Sequence, residues 1–331
     1  MKKLNLIIVF LSIELKPYKI MKLILQKHLA LLLMVTTILF SCSKDDGITN
    51  PSDTDNGAPE FITKWKTTTD NESITIRINS NITGYNYTVD WGDGTVDNNQ
   101  IANASHTYTT AGTYTVEIKG DFPALQSYEF GGPIQDFNNA AKLVSIENWG
   151  DIKWKTMEQA FRGCVNMEYN ATDIPNLSNV TSLSTMFFQC NAFNGNLNSW
   201  DISTIINMQF MFEKATLFNG DLSNWDVSKV THMNNMFKDA ASFNRDITNW
   251  DVDEVTNMEG MFANAVEFNQ DIGDWDVSKV TNMEGMFEGS NGFNQDISGW
   301  DVDAVTSCLD FAKNATVLTT LNSPSFTNCT P

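Results

Sequence analysis

Carboxylates recur in this chain with a regularity that bears on what they can do. Asp201, Asp226, Asp251, Asp276 and Asp301 stand 25 residues apart, and Asp221, Asp246, Asp271 and Asp296 form a second such series. Carboxylate pairs serve glycoside hydrolysis, and carboxylates in rows are hard oxygen ligands suited to calcium. Catalysis, however, needs a unique constellation, and a column copied through the chain is the opposite. Like charges spaced at about 5 Å repel unless each bonds backbone N–H, caps a helix or shares a cation. Capping is the expected role. Calcium remains the alternative at Asp226, Asp251, Asp276 and Asp301, and at Asp90 and Asp93, which flank Trp91 and Gly92 in a turn that Asp also caps well. Asn194, Asn219, Asn244, Asn269 and Asn294 form a third column, expected to bond turn backbone.

Five cysteines and three histidines show no zinc-ligand spacing, and no nucleophile elbow is present. Cys164 and Cys190 fall in the column that holds Ala215, Ala240 and Ala265, so stacked units would bring them within disulfide reach. Buried free thiols are the equal alternative. Cys308 interrupts a column of Met, and a bridge to Cys329 would fasten the tail, residues 318–331, as a C-terminal cap. The chain is therefore expected not to be an enzyme and to need no cofactor, calcium apart. A net charge of −19 disfavours nucleic acid as a partner.

These residues must be positioned by repetition. Trp200, Trp225, Trp250, Trp275 and Trp300 recur every 25 residues, as do Phe193, Phe218, Phe243, Phe268 and Phe293. A fixed period of this size predicts stacked coils. Within one unit Val280, Met283, Met286 and Phe287 fall at i, i+3, i+6 and i+7, a helical stripe that Asp276 or Ser278 would cap. The remainder, Phe268 to Trp275, suits one short strand. About seven coils over 142–317 are expected, two of them irregular, with a one-residue insertion between Met167 and Leu177. No unit can bury its Trp, Phe, Met and Val alone, so these columns read as core rather than as an aromatic binding stripe.

Ala160-Phe161-Arg162-Gly163-Cys164 resembles the signature of BspA-type leucine-rich repeats, and Trp275-Asp-Val-Ser-Lys-Val-Thr-Asn-Met-Glu-Gly-Met-Phe287 resembles the surface-protein repeat called DUF285. The resemblance implies a leucine-rich-repeat-like solenoid of strand/short-helix coils, displayed on a bacterial surface and engaged in adhesion. Met, Phe and Trp stand where those repeats usually carry Leu. Upstream, Trp91-Gly92-Asp93-Gly94 and His106-x-Tyr108, then Gly112-x-Tyr114-x-Val116, resemble the PKD domain. That likeness implies an immunoglobulin-like β-sandwich over 61–122, serving as spacer or binding module, joined to the solenoid by a junction at 123–141 that contains Gly131-Gly132-Pro133.

The N-terminal 1–41 read as a leader. Lys22 and Lys27 precede an apolar core of 12 residues, Leu29 to Phe40, too short for a comfortable membrane span. A second basic-apolar stretch before Met21 makes Met21 the expected start. Leu39-Phe40-Ser41-Cys42 resembles the bacterial lipobox, which implies cleavage before Cys42 and lipidation of its thiol. Ser43-Lys44-Asp45-Asp46 is similar to the sorting tag of Bacteroidetes-type lipoproteins, which implies display on the outer-membrane surface. Residues 42–60 read as a flexible tether. The expectation is thus a lipid-anchored, non-catalytic binding or adhesion protein with a protein or glycan ligand. A spacer without ligand, and less so a surface hydrolase, are the alternatives.

Overall fold

Alternation of buried and half-exposed residues builds the first strands. In β1 (Phe61–Lys66), Phe61, Thr63 and Trp65 face the core. In the computed structural model, which describes residues 60–127 and 138–331, seven more strands follow. They are β2 (Glu72–Ile76), β3 (Asn86–Asp90), β4 (Val96–Gln100), β5 (Ala104–Tyr108), β6 (Thr113–Asp121), β7 (Leu143–Asn148) and β8 (Glu168–Tyr169). The leader, Cys42 and its sorting tag, nearly all of the tether, and Gly131-Gly132-Pro133 lie outside the described residues.

The strands do not form the expected self-contained immunoglobulin-like sandwich. One sheet runs β4-β3-β6-β1-β7-β8, and β2 pairs only with β5. Strand β1 is antiparallel to β6 on one edge, from Phe61↔Ile118 to Lys66↔Thr113. Its other edge is taken by β7, from Ile62↔Asn148 to Trp65↔Leu143. Strand β8 extends the sheet in parallel through Ser145↔Glu168 and Ile146↔Tyr169. The main sheet therefore continues into the region expected to begin a separate solenoid. Side chains follow: the Phe61 ring lies 5.7 Å from Trp149 and 5.3 Å from Trp154.

The repeats are not strand/short-helix coils. Among the described residues the only helical element is a single 3-10 turn, Ala140–Lys142. None of their helices is long and apolar enough to cross a membrane. Successive units are joined by single-residue parallel bridges, Ser182↔Asn207, Asn207↔His232, His232↔Asn257, Asn257↔Asn282 and Asn282↔Ser307, rather than by strands. Between bridges the chain runs as consecutive turns.

The backbone explains why no helix forms. The N–H groups of Phe210, Phe212 and Lys214 donate to Asn234, Met236 and Lys238 in the next unit, at 3.0, 2.9 and 2.8 Å. The intervening Met211, Glu213 and Ala215 donate three residues back, to Met208, Phe210 and Phe212. Alternate N–H groups thus leave the unit, and none of these six makes an i→i−4 bond. Two left-handed residues per unit enforce the pattern. One column holds Thr185, Phe210, Asn235, Gly260, Gly285 and Asp310, at φ between 56° and 60°. The other, four residues on, holds Gln189, Lys214, Asp239, Asn264, Gly289 and Asn314, at φ between 57° and 69°. A residue at positive φ ends a right-handed helix.

The apolar columns pack between the turns. Phe212, Phe237, Phe262 and Phe287 stack on their neighbours at 5.6–5.7 Å. Phe218, Phe243, Phe268 and Phe293 stack at 5.8–5.9 Å and are fully buried. Such pairs add about 0.5–1.5 kcal/mol each beyond the area they bury. The Trp edges are satisfied across units: the indole N–H of Trp225 donates to Leu197 O, that of Trp250 to Leu222 O and that of Trp275 to Ile247 O.

Candidate functional site

The repeated carboxylates are spent on their own turns. Asp201 Oδ1 accepts the Ser203 N–H at 3.1 Å and Asp226 Oδ1 that of Ser228 at 3.1 Å. Asp276 accepts from Ser278, Asp251 from Asp253 and Asp301 from Asp303. The second column does the same, Asp221 with Ser223, Asp246 with Thr248, Asp271 with Gly273 and Asp296 with Ser298. Hydrogen bonds from the serine hydroxyl and then the serine N–H hold Asp201, Asp226 and Asp276 below the usual carboxylate range. Among the described residues no three His, Cys, Asp or Glu side chains come together as a metal site. The asparagine column closes a ladder, each Oδ1 accepting the next backbone N–H from Asn219 to Asn294 at 2.8–3.1 Å.

The Trp91 turn is equally committed. Asp90 Oδ1 accepts the Gly92 N–H, and Asp93 accepts the Thr95 N–H and pairs with His106 Nε2 at 2.8 Å. Burial opposes ionisation of Asp93, but the bonds from His106 and Thr95 outweigh it and lower its pKa. His106 lies against the Trp91 ring at 5.3 Å, and Asp97 accepts the Trp91 indole N–H. Glycine is required at position 92, which lies at φ +75° and where a Cβ would sit 2.2 Å from Thr115 O. Cys308 and Cys329 form a disulfide, whereas Cys164 and Cys190 are free, buried thiols with pKa raised by burial.

The open polar concavity lies elsewhere, where the period breaks. A cavity of about 300 Å³ is lined by Tyr169, Ala171, Thr172, Asp173, Asn196, Asn198, Ser199 and Asn224. At the one-residue insertion Glu168 and Tyr169 pair with β7 as strand β8, whereas the later units are joined only by single-residue bridges. Pro175 takes the place of a Trp one unit before Trp200, so the Trp149 ring reaches Trp200 directly, at 5.4 Å. The indole N–H groups of both Trp149 and Trp200 donate to the Tyr169 hydroxyl, at 3.0 and 3.3 Å, instead of Trp200 using a carbonyl as its successors do. Burial raises the Tyr169 pKa and keeps the hydroxyl neutral. The Asp173 carboxylate accepts N–H bonds from Trp149 and Gly150 at 2.9–3.0 Å, which fixes it at the cavity wall.

The opposite wall comes from the next two units. Asn196 occupies the column that holds Asp in the four following units, and its Oδ1 still accepts the Asn198 N–H at 3.0 Å. Asn198 is also engaged, donating to Asp221 Oδ2 and accepting from Asn224 N–H. Thr172, Asn196, Ser199 and Asn224 are exposed, whereas Tyr169, Ala171, Asp173 and Asn198 are half-buried, so the cavity has a floor and an open rim. These residues were not among the candidate site residues expected from the sequence. Two signals for them were present, the inserted residue and the Asn in a column of Asp.

A family model described as "Mycoplasma protein of unknown function, DUF285" matches residues 155–265 and 221–324. Together the matches span just over half of the chain. The chain belongs to the DUF285 family. No curated protein and no solved structure matches it. The DUF285 matches cover every residue lining the cavity and leave everything before residue 155 outside.

Proposed function

We propose that the protein is a non-catalytic binding protein of the bacterial surface, anchored in the outer membrane through a lipid on Cys42. The observation that carries the reading is how polar groups are allocated. The repeated Asp and Asn columns serve their own backbone, which leaves no carboxylate pair poised for hydrolysis in them. The cavity at the register break is instead open and lined mostly by amides and hydroxyls, with Asp173 as its one carboxyl group. The lipobox-like Leu39-Phe40-Ser41-Cys42 and the acidic tag after it support surface display. The net charge of −19 supports a protein or glycan ligand over nucleic acid.

The test has two arms. Cells expressing the full chain should incorporate labelled palmitate into it and lose it to external protease, and Cys42→Ala should abolish the labelling. The full-length protein should bind immobilised host matrix, glycans or other bacterial cells saturably. Absence of saturable binding to all three would favour a spacer without ligand. Turnover of polysaccharide or protein, abolished by a single Asp substitution, would favour a hydrolase.

A further inference from the structure

The cavity at the register break has a chemistry that narrows its occupant. Its walls offer amides from Asn196 and Asn224, hydroxyls from Thr172 and Ser199, and the half-buried carboxylate of Asp173. The Asn196 and Asn224 amide groups, Thr172 Oγ1 and Ser199 Oγ donate no hydrogen bond within the described residues, since the Asn196 bond uses only its Oδ1. The Tyr169 hydroxyl accepts two indole N–H bonds, and its own proton has no acceptor there either. Several donors and acceptors therefore converge on one small concavity without a cation among its lining residues.

That set disfavours an anion, because the Asp173 carboxyl group stands in the lining and the chain as a whole is acidic. A divalent cation is disfavoured by the lack of a second carboxylate in the lining. A long apolar side chain would leave the amides unpaired at a cost. Vicinal hydroxyls, each both donor and acceptor, match amides, hydroxyls and a carboxylate placed together. The volume, about 300 Å³, lies at the low end of the range for small-molecule sites and suits one ring rather than a chain. The exposed rim leaves the ring free to continue into a longer molecule.

We infer that this cavity binds a neutral sugar ring, as the terminal unit of a glycan, with Asn196 Nδ2 as a specificity-determining donor. The inference rests on the reading of the protein as a surface binder and names its ligand class. Asn196 is informative because the four following units carry Asp in its column, each making the same bond to the residue two positions on. Asn196→Asp therefore keeps the local fold and removes one donor from the cavity.

The experiment titrates the full-length protein with free neutral monosaccharides and, separately, with the same sugars as terminal residues of oligosaccharides, followed by saturation-transfer NMR. A panel of short peptides is run alongside. The expected result is saturable binding of at least one neutral sugar. Asn196→Asp should weaken it by about tenfold, the loss of one well-made hydrogen bond, at unchanged thermal stability. Ser199→Arg should weaken it by filling the rim, and Asp246→Asn, in the same column outside the cavity, should leave it intact. Tighter binding of the oligosaccharide than of the free sugar identifies a glycan terminus. Equal binding of both would overturn the glycan assignment. No binding of any sugar, binding insensitive to Asn196→Asp and Ser199→Arg, or peptide binding lost in those variants would overturn the inference. If the protein still adheres to matrix or cells while no sugar binds, only this site assignment fails. If it adheres to nothing, the proposed function fails with it.

Discussion

Replacing Gly285 by Ala separates two accounts of the repeat by the sign of one free energy. Gly285 lies at φ +59° and is buried, inside the Val280-to-Phe287 stretch whose side-chain spacing reads as helical. Were that stretch a helix, Ala would stabilise it by about 0.8–1 kcal/mol. In the turn seen here a Cβ costs about 1–2 kcal/mol through the left-handed conformation. Reduced freedom of the unfolded chain offsets about 0.4–1 kcal/mol of that. No clash adds to the cost, because the nearest atom to an added Cβ is Glu288 Oε2 at 3.7 Å. The expected net loss is about 1 kcal/mol, so the two accounts differ by about 2 kcal/mol with opposite sign. Gly260 supplies a graded control. It occupies the same column at φ +58°, but its Cβ would lie 2.4 Å from Asn235 Oδ1 on a residue only 6% exposed. Gly260→Ala must also displace that side chain and should cost more, by about 1–3 kcal/mol. Urea denaturation followed by tryptophan fluorescence measures both. A higher midpoint for Gly285→Ala than for the parent would refute the left-handed turn and restore the helix.

Two further outcomes follow from groups outside the cavity. The Glu117 carboxyl donates to Glu60, and that bond, burial and the Glu60 charge raise its pKa from 4.5 to about 7. Its protonated form is thus favoured by folding: this contribution is complete below pH 4.5 and is lost as pH rises through about 7. The melting temperature should therefore fall between pH 5 and pH 8 by an amount that Glu117→Gln removes; an unchanged slope in the variant would show that other groups set it. Cys329→Ser opens a loop of sequence separation 21 and should destabilise the tail by about 3 kcal/mol. Hydrogen exchange should quicken around Phe326, whose ring packs on Phe311 at 5.0 Å, while the Phe237 region stays protected.

What could be read from the amino acids depended on how local its cause was. The Trp, Phe and Met columns were legible because each unit repeats the same burial problem, and their side chains are buried. The turn geometry was not, because i, i+3, i+6 and i+7 spacing fits a helix and a run of three-residue turns alike. The distinguishing signal lay in the intervening column, where Asn235, Gly260, Gly285 and Asp310 are residue types that accept positive φ. Thr185 and Phe210 in the same column obscured it. The pairing of β1 with β7 was invisible for a different reason. It joins Ile62 to Asn148 across most of the N-terminal strands, and no local pattern encodes which edge a central strand will offer. The cavity falls between these cases. The insertion and Asn196 are visible in sequence, but the consequence depends on Pro175 standing where a Trp would. That substitution removes one indole from the stack and leaves Trp149 and Trp200 to meet on the Tyr169 hydroxyl. In an array whose repeated polar columns satisfy their own turns, the cavity lies where one unit fails to copy its neighbour. Asn196 is where that failure also changes the hydrogen-bonding character of the surface, keeping the acceptor that binds the Asn198 N–H and adding an amide donor.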